Sequence, residues 1–353
     1  MLSPGSRRAV ASTFWRQWFS LLIGLLIGWL AFSPKSWLTR DLSSARPTID
    51  VADRSIVHQT AEGKSASDAP TKNRISPDAA WPKIFCMINS IPGHQSRRKA
   101  VNDTWVKHCD GHIYVSTKLD DTKEPASEFW TFNFTEKHAI NSHIWIWDRL
   151  RASIRRLEKE KGNEYDWFLK ADDDTFAVIE NLKEALKGLN PDEPLYMGAM
   201  LKYMDQSLAK RPRDFIYPSG GSGYVLSRGG LKKFVEVINE SNGEKCRNTT
   251  YLHEDTEVGW CLQSAKVAVL DSVDLDGKHR MLPIDVMDII HPTRAESHSD
   301  RGWARQSLVK TLAAGPDCCS PHIITIHYVS DMLMYTYYYL VYDVIVPGRL
   351  SGD

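Results

Sequence analysis

The feature that most constrains this 353-residue chain is an uncharged apolar segment near its N-terminus. Residues 17–34 carry no charged side chain and are dominated by Leu, Ile, Trp and Phe. As a helix rising about 1.5 Å per residue, the segment spans about 27 Å, which suits the thinner bilayers of the early secretory pathway. Arg7, Arg8 and Arg16 precede it, and the positive-inside rule therefore leaves residues 1–16 in the cytosol. We expect a single-pass type II signal anchor with the rest of the chain in the lumen.

The alternative is a cleaved signal peptide. Ala31-Phe32-Ser33 resembles a small-x-small cleavage site, as signal peptides require. Pro34 follows directly and argues against cleavage, so we favour the anchor.

Beyond this segment the composition changes twice. Residues 35–79 are rich in Ser, Thr, Asp, Pro and Ala, without the periodicity that a core requires, and predict a flexible stem. Residues 80–353 are long enough to bury a large core, and no second linker interrupts them, so we expect one luminal domain.

Charge and cysteine content bear on two questions: whether the chain binds nucleic acid, and whether its cysteines form disulfides or bind zinc. The formal net charge is zero and basic residues are spread along the chain, which excludes a nucleic-acid-binding footprint. All six cysteines follow the apolar segment and none forms a Cys-x-x-Cys pair, so disulfides are favoured over zinc. Asn133 and Asn248 begin glycosylation sequons, which agree with a luminal domain.

Strand and helix patterns alternate through the luminal domain, which predicts an α/β fold. The strand-like run 166–171 follows a helical stretch at 144–161 and delivers Asp172, Asp173 and Asp174 to its C-terminal end. Ligands bind at this edge of α/β sheets. Adjacent carboxylates repel one another unless a cation screens them, so the triplet favours a metal. The alternative is an acidic turn that caps a helix beginning near Val178.

Three other patterns are weaker. A glycine-rich run at 217–227 permits close backbone approach to a ligand. His253-Glu254-Asp255 opens a helix, where carboxylates are also ordinary partners of the helix dipole. His327 lies inside a strand-like run at 323–329, and such a histidine is more often a buried core group than a ligand.

Taken in order, these motifs resemble the core 1 β1,3-galactosyltransferases over about residues 81–342. The residues that carry the resemblance are 167–175 (WFLKADDDT), 220–227 (GGSGYVLS), 254–259 (EDTEVG), 315–320 (GPDCCS) and 326–329 (IHYV). The resemblance implies a GT-A nucleotide-sugar-binding domain, with a mixed central sheet flanked by helices, behind a transmembrane helix in the Golgi membrane. It implies inverting transfer of galactose from UDP-galactose to GalNAc on serine or threonine of glycoproteins, with Mn²⁺ as cofactor.

The resemblance also assigns roles to single residues. It implies Asp255 as the general base, because inverting transfer needs a carboxylate to take the acceptor proton. The implied Mn²⁺ ligands are Asp172, Asp174 and His327. Nucleotide-sugar contacts are expected from Asn89, Arg97, Asp173 and Tyr328, and sugar contacts from Gly221, Glu254 and Trp303.

For the cysteines we predict three disulfides. Two of them, Cys86 with Cys109 and Cys246 with Cys261, would close short loops. Because the number of cysteines is even and the lumen is oxidising, we expect no unpaired thiol. Cys318 and Cys319 are predicted to bond to each other, although adjacent residues need a strained peptide, so a free thiol or another pairing stays open. The quaternary state is also open, and a homodimer is compatible with these features.

The chain departs from the resembled family between residues 293 and 314, where it is shorter and has Trp303 as its only aromatic residue. Acceptor recognition is therefore the least determined property, and a related transferase with another UDP-sugar donor or another acceptor stays open. The family also contains a non-catalytic chaperone without the acidic triplet. Because Asp172-Asp173-Asp174, Asp255 and His327 are all present, we favour the enzyme.

Overall fold

The computed structural model describes residues 56–57, 80–117, 126–132, 145–203, 215–240, 242–290 and 302–345. The expected cytosolic tail at 1–16, the expected membrane segment at 17–34 and Asn133 lie outside these residues. In the expected stem, a two-residue strand at Ile56–Val57 is described. Among the described helices, none has the length and apolar character needed to cross a bilayer.

The centre of the fold is a mixed sheet of eight strands. In chain order, the described strands are β1 (Ile56–Val57), β2 (Ile84–Asn89), β3 (Gly111–Thr117), β4 (Phe129–Phe132), β5 (Trp167–Asp172), β6 (Phe176–Ala177), β7 (Leu195–Gly198), β8 (Met200–Lys202), β9 (Ile216–Pro218), β10 (Tyr224–Ser227), β11 (Ala268–Leu270), β12 (Met281–Leu282) and β13 (Thr325–Ile326). The large sheet has the order β1-β11-β7-β10-β5-β2-β3-β4. A smaller sheet has the order β12-β13-β6, and β8 pairs with β9.

The register of the sheet places the acidic triplet beside two loops. Strand β2 runs parallel to β5, with Asn89 opposite Asp172. Strand β10 runs antiparallel to β5, with Tyr224 opposite Lys170. The C-terminal ends of β2 and β5 therefore meet the start of β10 at one edge, which brings the glycine-rich run next to the carboxylates. The prediction of a mixed α/β fold is confirmed.

Helices cover both faces of the sheet. The described helices are α1 (Gln95–Asp103), α2 (Ile146–Lys161), α3 (Ile179–Leu186), α4 (Arg228–Glu240), α5 (Glu254–Ser264), α6 (Met287–Ile290), α7 (Trp303–Ser307) and α8 (Asp331–Tyr338). Short 3₁₀ turns lie at Trp105–His108, Ala126–Glu128 and Gly315–Asp317, and a π-helical turn at Tyr339–Asp343 follows α8.

Alternation along the strands explains why there are two cores, because successive strand side chains point to opposite faces. Ile84, Cys86 and Ile88 belong to a core that includes residues of α1 and α3. Phe85 and Met87 belong to a second core with residues of α2, α4 and α5. Each face of β2 is thus fully apolar until Asn89, the last residue before the loop.

All three predicted disulfides are present. Cys86 of β2 bonds to Cys109, Cys246 bonds to Cys261 of α5, and Cys318 bonds to its neighbour Cys319. The second of these ties the segment that leads into α5 to the helix itself. The alternatives left open for Cys318 and Cys319 are therefore wrong.

The predicted strand at 323–329 is much shorter than expected. Only Thr325–Ile326 pairs, between β12 and β6, and His327 follows it. Tyr328 has a φ of +59°, which an extended strand does not contain. The backbone N–H of Val329 then donates to the carbonyl of Asp174 at 2.9 Å. The turn thus places His327 beside the acidic triplet, and its assignment to the inside of a strand is wrong.

Candidate active site

Two carboxylates and an imidazole converge at the end of β5. Asp172 is the last residue of this strand, Asp174 lies in the turn after it, and His327 follows β13. One potential ligand atom from each lies within 4.8 Å of the other two, and this is the only such group among the described residues. His327 Nε2 is 3.5 Å from Asp174 Oδ1. The prediction that these three residues share a site is supported by their geometry.

The orientation of the His327 ring is set by its neighbours. Its Nδ1 lies 3.2 Å from the carbonyl oxygen of Pro283, so Nδ1 carries the proton and donates it there. The Tyr328 ring stacks on the imidazole with centroids 3.8 Å apart. Nε2 faces Asp174 Oδ1 at 3.5 Å, and metal-binding histidines are likewise oriented by a hydrogen bond from the ring nitrogen that does not bind the metal.

The middle carboxylate points away from this group, as expected for the triplet. Asp173 accepts a hydrogen bond from Ser90 at 2.6 Å and lies 2.9 Å from His94 Nδ1. Burial raises the pKa of Asp173, while these two partners act to lower it. Asp173 thus ties β5 to the loop before α1. The alternative of a capping turn is wrong, since Val178 is the N-cap of α3 and no side chain caps it.

Arg97 joins the two halves of the triplet from α1. Its Nη1 donates to Asp174 Oδ2 at 3.1 Å and to Asp173 Oδ1 at 3.3 Å. Burial acts to raise the pKa of Asp174, but the His327 hydrogen bond and the charges of His327 and Arg97 outweigh it and lower the pKa. Asp174 is consequently ionised and ready to bind a cation.

A buried lysine, which sequence reasoning missed, organises the other side of the site. Lys170 Nζ lies 2.9 Å from Asp172 Oδ1 and 2.6 Å from Glu254 Oε1, and it donates to the carbonyl of Gly220 at 3.0 Å. Burial opposes the charge of Lys170, but the two carboxylates raise its pKa. Burial also raises the pKa of Glu254 to about 7, against the lowering effect of Lys170. Glu254 is therefore engaged by Lys170 rather than free.

Asp255 lies on the other side of the glycine-rich run. The backbone N–H of Gly220 donates to its Oδ2 at 3.3 Å, and that of Thr256 donates to Oδ1 at 2.8 Å. Burial raises the pKa of Asp255, and these two N–H groups partly offset the effect. The half-buried carboxylate is held in the first turn of α5, where the helix dipole also favours it.

Gly221, which follows Gly220 in the glycine-rich run, packs directly on the His327 ring. A Cβ at this position would lie 1.9 Å from His327 Cε1, so no other side chain fits. Its carbonyl accepts from Thr175 at 2.7 Å. Since consecutive Cα atoms are about 3.8 Å apart, Gly220 and Gly221 bring the Asp255 carboxylate and the His327 imidazole to opposite ends of one dipeptide.

The remaining residues predicted to bind ligands or carry glycans lie at different places in the fold. Asn89 lies beside Asp172 in the sheet, and both polar atoms of its amide are buried without a hydrogen-bond partner. Tyr328 is 39% exposed and lies over His327. Trp303 begins α7, which packs against β8. Asn248 is exposed, as a glycosylation site requires.

The residues missed from the sequence did leave a signal. Lys170 is the one charged residue within the apolar strand 167–171, and Arg149 lies on the apolar stripe of α2 between Trp147 and Leu150. A charge at a core position needs a partner, so both positions mark a buried polar network. Which groups they meet could not be read from the pattern.

The donor set fits a divalent cation. Two carboxylates and one imidazole nitrogen suit Mn²⁺ and similar first-row ions better than Ca²⁺, which prefers oxygen ligands alone. Nε2 of His327, which faces Asp174, and the ionised Asp174 are the groups that such an ion would bind. Asp172 Oδ1 is enclosed and has no hydrogen bond of good geometry, although Lys170 lies close to it.

Comparisons with known proteins identify a matching family model and similar sequences. A family model described as Fringe-like matches residues 84–292, more than half of the chain. The chain is 30% identical to glycoprotein-N-acetylgalactosamine 3-beta-galactosyltransferase 1 of Xenopus laevis over 337 residues, which cover 94% of this chain and 86% of that protein. It is 36% identical over 193 residues to human chondroitin sulfate synthase 3, covering 52% of this chain and 21% of that protein.

Among solved structures, the chain is similar to a galactosyltransferase crystallised with donor and acceptor sugar analogs. The likeness has a TM-score of 0.32 and 10% sequence identity, and it covers 70% of this chain and 87% of that one. At this TM-score the likeness carries no weight for the function.

Proposed function

The chain belongs to the Fringe-like family, and from that premise we propose that it is a metal-dependent inverting glycosyltransferase. The observation that carries the proposal is the dipeptide Gly220–Gly221. Its first residue holds the Asp255 carboxylate, and its second packs on the His327 ring beside Asp174. The closeness of the two groups to one dipeptide supports a base and a metal-binding group that act on the same substrate.

The metal would be held by Asp172, Asp174 and His327, and we propose Mn²⁺. When bound, such an ion neutralises charge on the diphosphate leaving group of a nucleotide sugar. Arg97, which already contacts Asp174, would bind the same diphosphate oxygens. Asp173 keeps Arg97 and the α1 N-terminus in place through its own contacts.

Asp255 would act as the general base. An inverting displacement needs a carboxylate to accept the proton of the attacking hydroxyl on the face opposite the leaving group. Asp255 is half-buried, and each of its two oxygens accepts a hydrogen bond from one backbone N–H group. The adjacent Glu254 is unsuited to this role, because Lys170 lies 2.6 Å from it in a buried pair.

We further propose galactose from UDP-galactose as the donor group and GalNAc on serine or threonine as the acceptor, joined in β1,3 linkage. The motif order and the Xenopus relative, whose name states a 3-beta-galactosyltransferase acting on glycoprotein N-acetylgalactosamine, support this choice. Trp303, in the divergent segment 293–314, and Gly221 would contact the sugars, and Asn89 and Tyr328 the nucleotide sugar.

The proposed location is the Golgi lumen. Residues 17–34 would anchor the chain, residues 35–79 would form the stem, and residues 80–353 the catalytic domain. The three disulfides support a luminal domain, since such bonds persist in oxidising compartments. Glycans on Asn133 and Asn248 would follow from that topology.

A donor screen tests the proposal. The purified full-length protein in detergent, with Mn²⁺ and a GalNAc-serine acceptor, is given UDP-galactose, UDP-GlcNAc, UDP-GalNAc or UDP-glucuronate. We expect transfer of galactose alone, with a β1,3 product by NMR. Transfer of another sugar would reassign the donor, and UDP binding without any transfer would favour a non-catalytic protein.

Two variants separate binding from chemistry. Asp255→Asn keeps shape and hydrogen bonds but removes the base, so turnover should fall by about 10²–10⁴-fold while UDP affinity stays within a few-fold. Glu254→Gln is the neighbouring control. If Glu254→Gln abolishes turnover and Asp255→Asn does not, the base is Glu254. If neither substitution changes turnover, both carboxylates interact only with the helix dipole.

A further inference from the structure

Lys170 is a buried residue whose ammonium group contacts both sides of the candidate active site. It lies on β5 two residues before Asp172, so the two side chains project from the same face of the strand. The Lys170 side chain is 2% exposed, and its Nζ lies close to Asp172 Oδ1, Glu254 Oε1 and the carbonyl oxygen of Gly220. An ammonium group has three donors and no acceptor, and these three contacts account for all three donors.

One of these contacts fixes the turn at residues 220–223. The carbonyl oxygen of Gly220 accepts from Lys170 Nζ at 3.0 Å and from the backbone N–H of Gly223 at 3.1 Å. Gly223 has a φ of +77°, and a Cβ added there would lie 2.8 Å from the carbonyl oxygen of Lys170. Lys170 therefore contacts both ends of the turn, one through its ammonium group and the other through its main chain.

The same turn contacts the proposed base and the proposed metal-binding group. The backbone N–H of Gly220 donates to Asp255 Oδ2 at 3.3 Å, and Gly221 packs on the His327 ring. Glycine restricts its own backbone less than any other residue. The direction of the Gly220 N–H therefore depends on the contacts that hold the Gly220 carbonyl, and Lys170 supplies one of them.

Lys170 also contacts the metal side of the site directly. Asp172, one of the proposed metal ligands, lies with its Oδ1 2.9 Å from Lys170 Nζ. A single nitrogen thus joins a proposed metal ligand to the turn that holds the base. Reacting groups must be held in a narrow range of positions for fast transfer, so the separation of the base from the metal ligands affects the rate.

We propose that Lys170 is a positioning residue for the general base. By holding Asp172 and the Gly220 carbonyl on one nitrogen, it sets where the Asp255 carboxylate lies relative to the metal-binding group. The inference rests on the proposed function, and it gives Lys170 an effect on the rate that passes through Asp255.

A double-mutant cycle between Lys170 and Asp255 tests this role in the full-length protein. Lys170→Met keeps the apolar bulk of the side chain but removes its three contacts, and a misplacement of about 1 Å costs about 10²-fold in rate. At saturating Mn²⁺ and UDP-galactose, we therefore expect kcat to fall by about 10- to 100-fold. In the Asp255→Asn background the same substitution should lower kcat by less than about threefold, because no base is left to misplace.

Each kcat is divided by the fraction of protein that binds Mn²⁺-UDP in isothermal titration calorimetry, which removes losses due to unfolded protein. Lys183→Met on α3 is the matched control, because this lysine also forms an ion pair, with Asp110, and its side chain is 18% exposed. It should change kcat in neither background. Equal fractional losses for Lys170→Met in both backgrounds, an unchanged kcat, or a complete loss of Mn²⁺-UDP binding would overturn the proposal.

A second variant covers the case in which Lys170→Met does not fold. That substitution leaves the Glu254 carboxylate buried without its cationic partner, which is strongly destabilising, whereas removing both charges of a buried pair is often tolerated. Lys170→Met/Glu254→Gln is therefore compared with Glu254→Gln alone. The same loss of kcat is expected relative to that reference, and it should again be absent when Asp255 is replaced by Asn.

Hydrogen–deuterium exchange tests the positioning without turnover. Peptides that cover residues 219–224 should exchange faster in Lys170→Met than in the wild type or in Lys183→Met, because the N–H groups of Gly220 and Gly223 lose the support of the turn. Unchanged exchange would overturn the proposal. A wild-type protein that transfers no sugar, or an Asp255→Asn variant with full turnover, would instead contradict the proposed function.

Discussion

Replacing Gly221 with alanine is the sharpest perturbation that the site offers. The added Cβ would lie 1.9 Å from His327 Cε1 and 2.2 Å from its Nε2. To reach an ordinary contact of 3.4 Å, the ring or the loop must move by about 1.5 Å. The ring cannot turn freely, because its Nδ1 donates to the carbonyl of Pro283 and Tyr328 is stacked on it.

The cost of that displacement can be estimated. Moving Nε2 away from Asp174 weakens one of the three proposed metal ligands, and loss of ligand orientation typically lowers metal affinity by about 10–100-fold. A misplacement of about 1 Å at a reacting centre costs about 10²-fold in rate. We therefore expect Gly221→Ala to need about 10–100-fold more Mn²⁺ for half-maximal transfer, with part of the rate restored at saturating metal.

The assay is a Mn²⁺ titration of sugar transfer, with direct metal binding measured by electron paramagnetic resonance. Gly93→Ala is the control, because a Cβ there meets nothing within 4 Å and no unusual φ is required. If Gly221→Ala has the same Mn²⁺ dependence as Gly93→Ala and the wild type, His327 does not hold the ion, and the assignment of the metal site is refuted.

Three further predictions follow from the same contacts. Chelation should abolish transfer and Mn²⁺ should restore it, whereas His327→Ala should lose Mn²⁺-dependent UDP binding; retained binding would return His327 to a core role. Because burial raises the pKa of Asp255 above its usual 3.8 and only the ionised base accepts a proton, kcat/KM should fall as pH drops through that raised value. An acid limb in the pH–rate profile at or below pH 3.8 would contradict this. Removing the Cys246–Cys261 bridge, which closes a loop of sequence separation 15, by double alanine substitution should cost about 3 kcal/mol in urea-induced unfolding, and an unchanged midpoint would refute it.

Much of the scaffold could be predicted because it depends on local patterns. Apolar runs and helical spacing placed β5, α2 and the start of α5 within a few residues of their observed bounds, since burial of one face imposes these periods. The disulfide pairs followed from parity and short loop lengths. The position of Asp172 and Asp174 at a strand end followed from the strand itself.

The strand around His327 could not be predicted correctly in the same way. Its residues are apolar and β-branched, which is typical of a long strand, yet tertiary contacts stop the pairing after Ile326. The positive φ of Tyr328 and the bond from Val329 to Asp174 turn the chain toward the acidic edge. These contacts join positions about 150 residues apart, which no local pattern records.

The amino-acid sequence alone therefore determined the fold class, the two disulfides that close short loops and the identity of the acidic triplet, because each depends on neighbours along the chain. Only the tertiary structure decided which charges meet. Lys170 was a lone charge in an apolar strand until the sheet and α5 placed Glu254 2.6 Å from it, and Arg149 was an exception on a helix stripe until α2 packed on the sheet. Electrostatic effects depend on distance and burial, and both are set by how strands and helices from distant parts of the chain pack together.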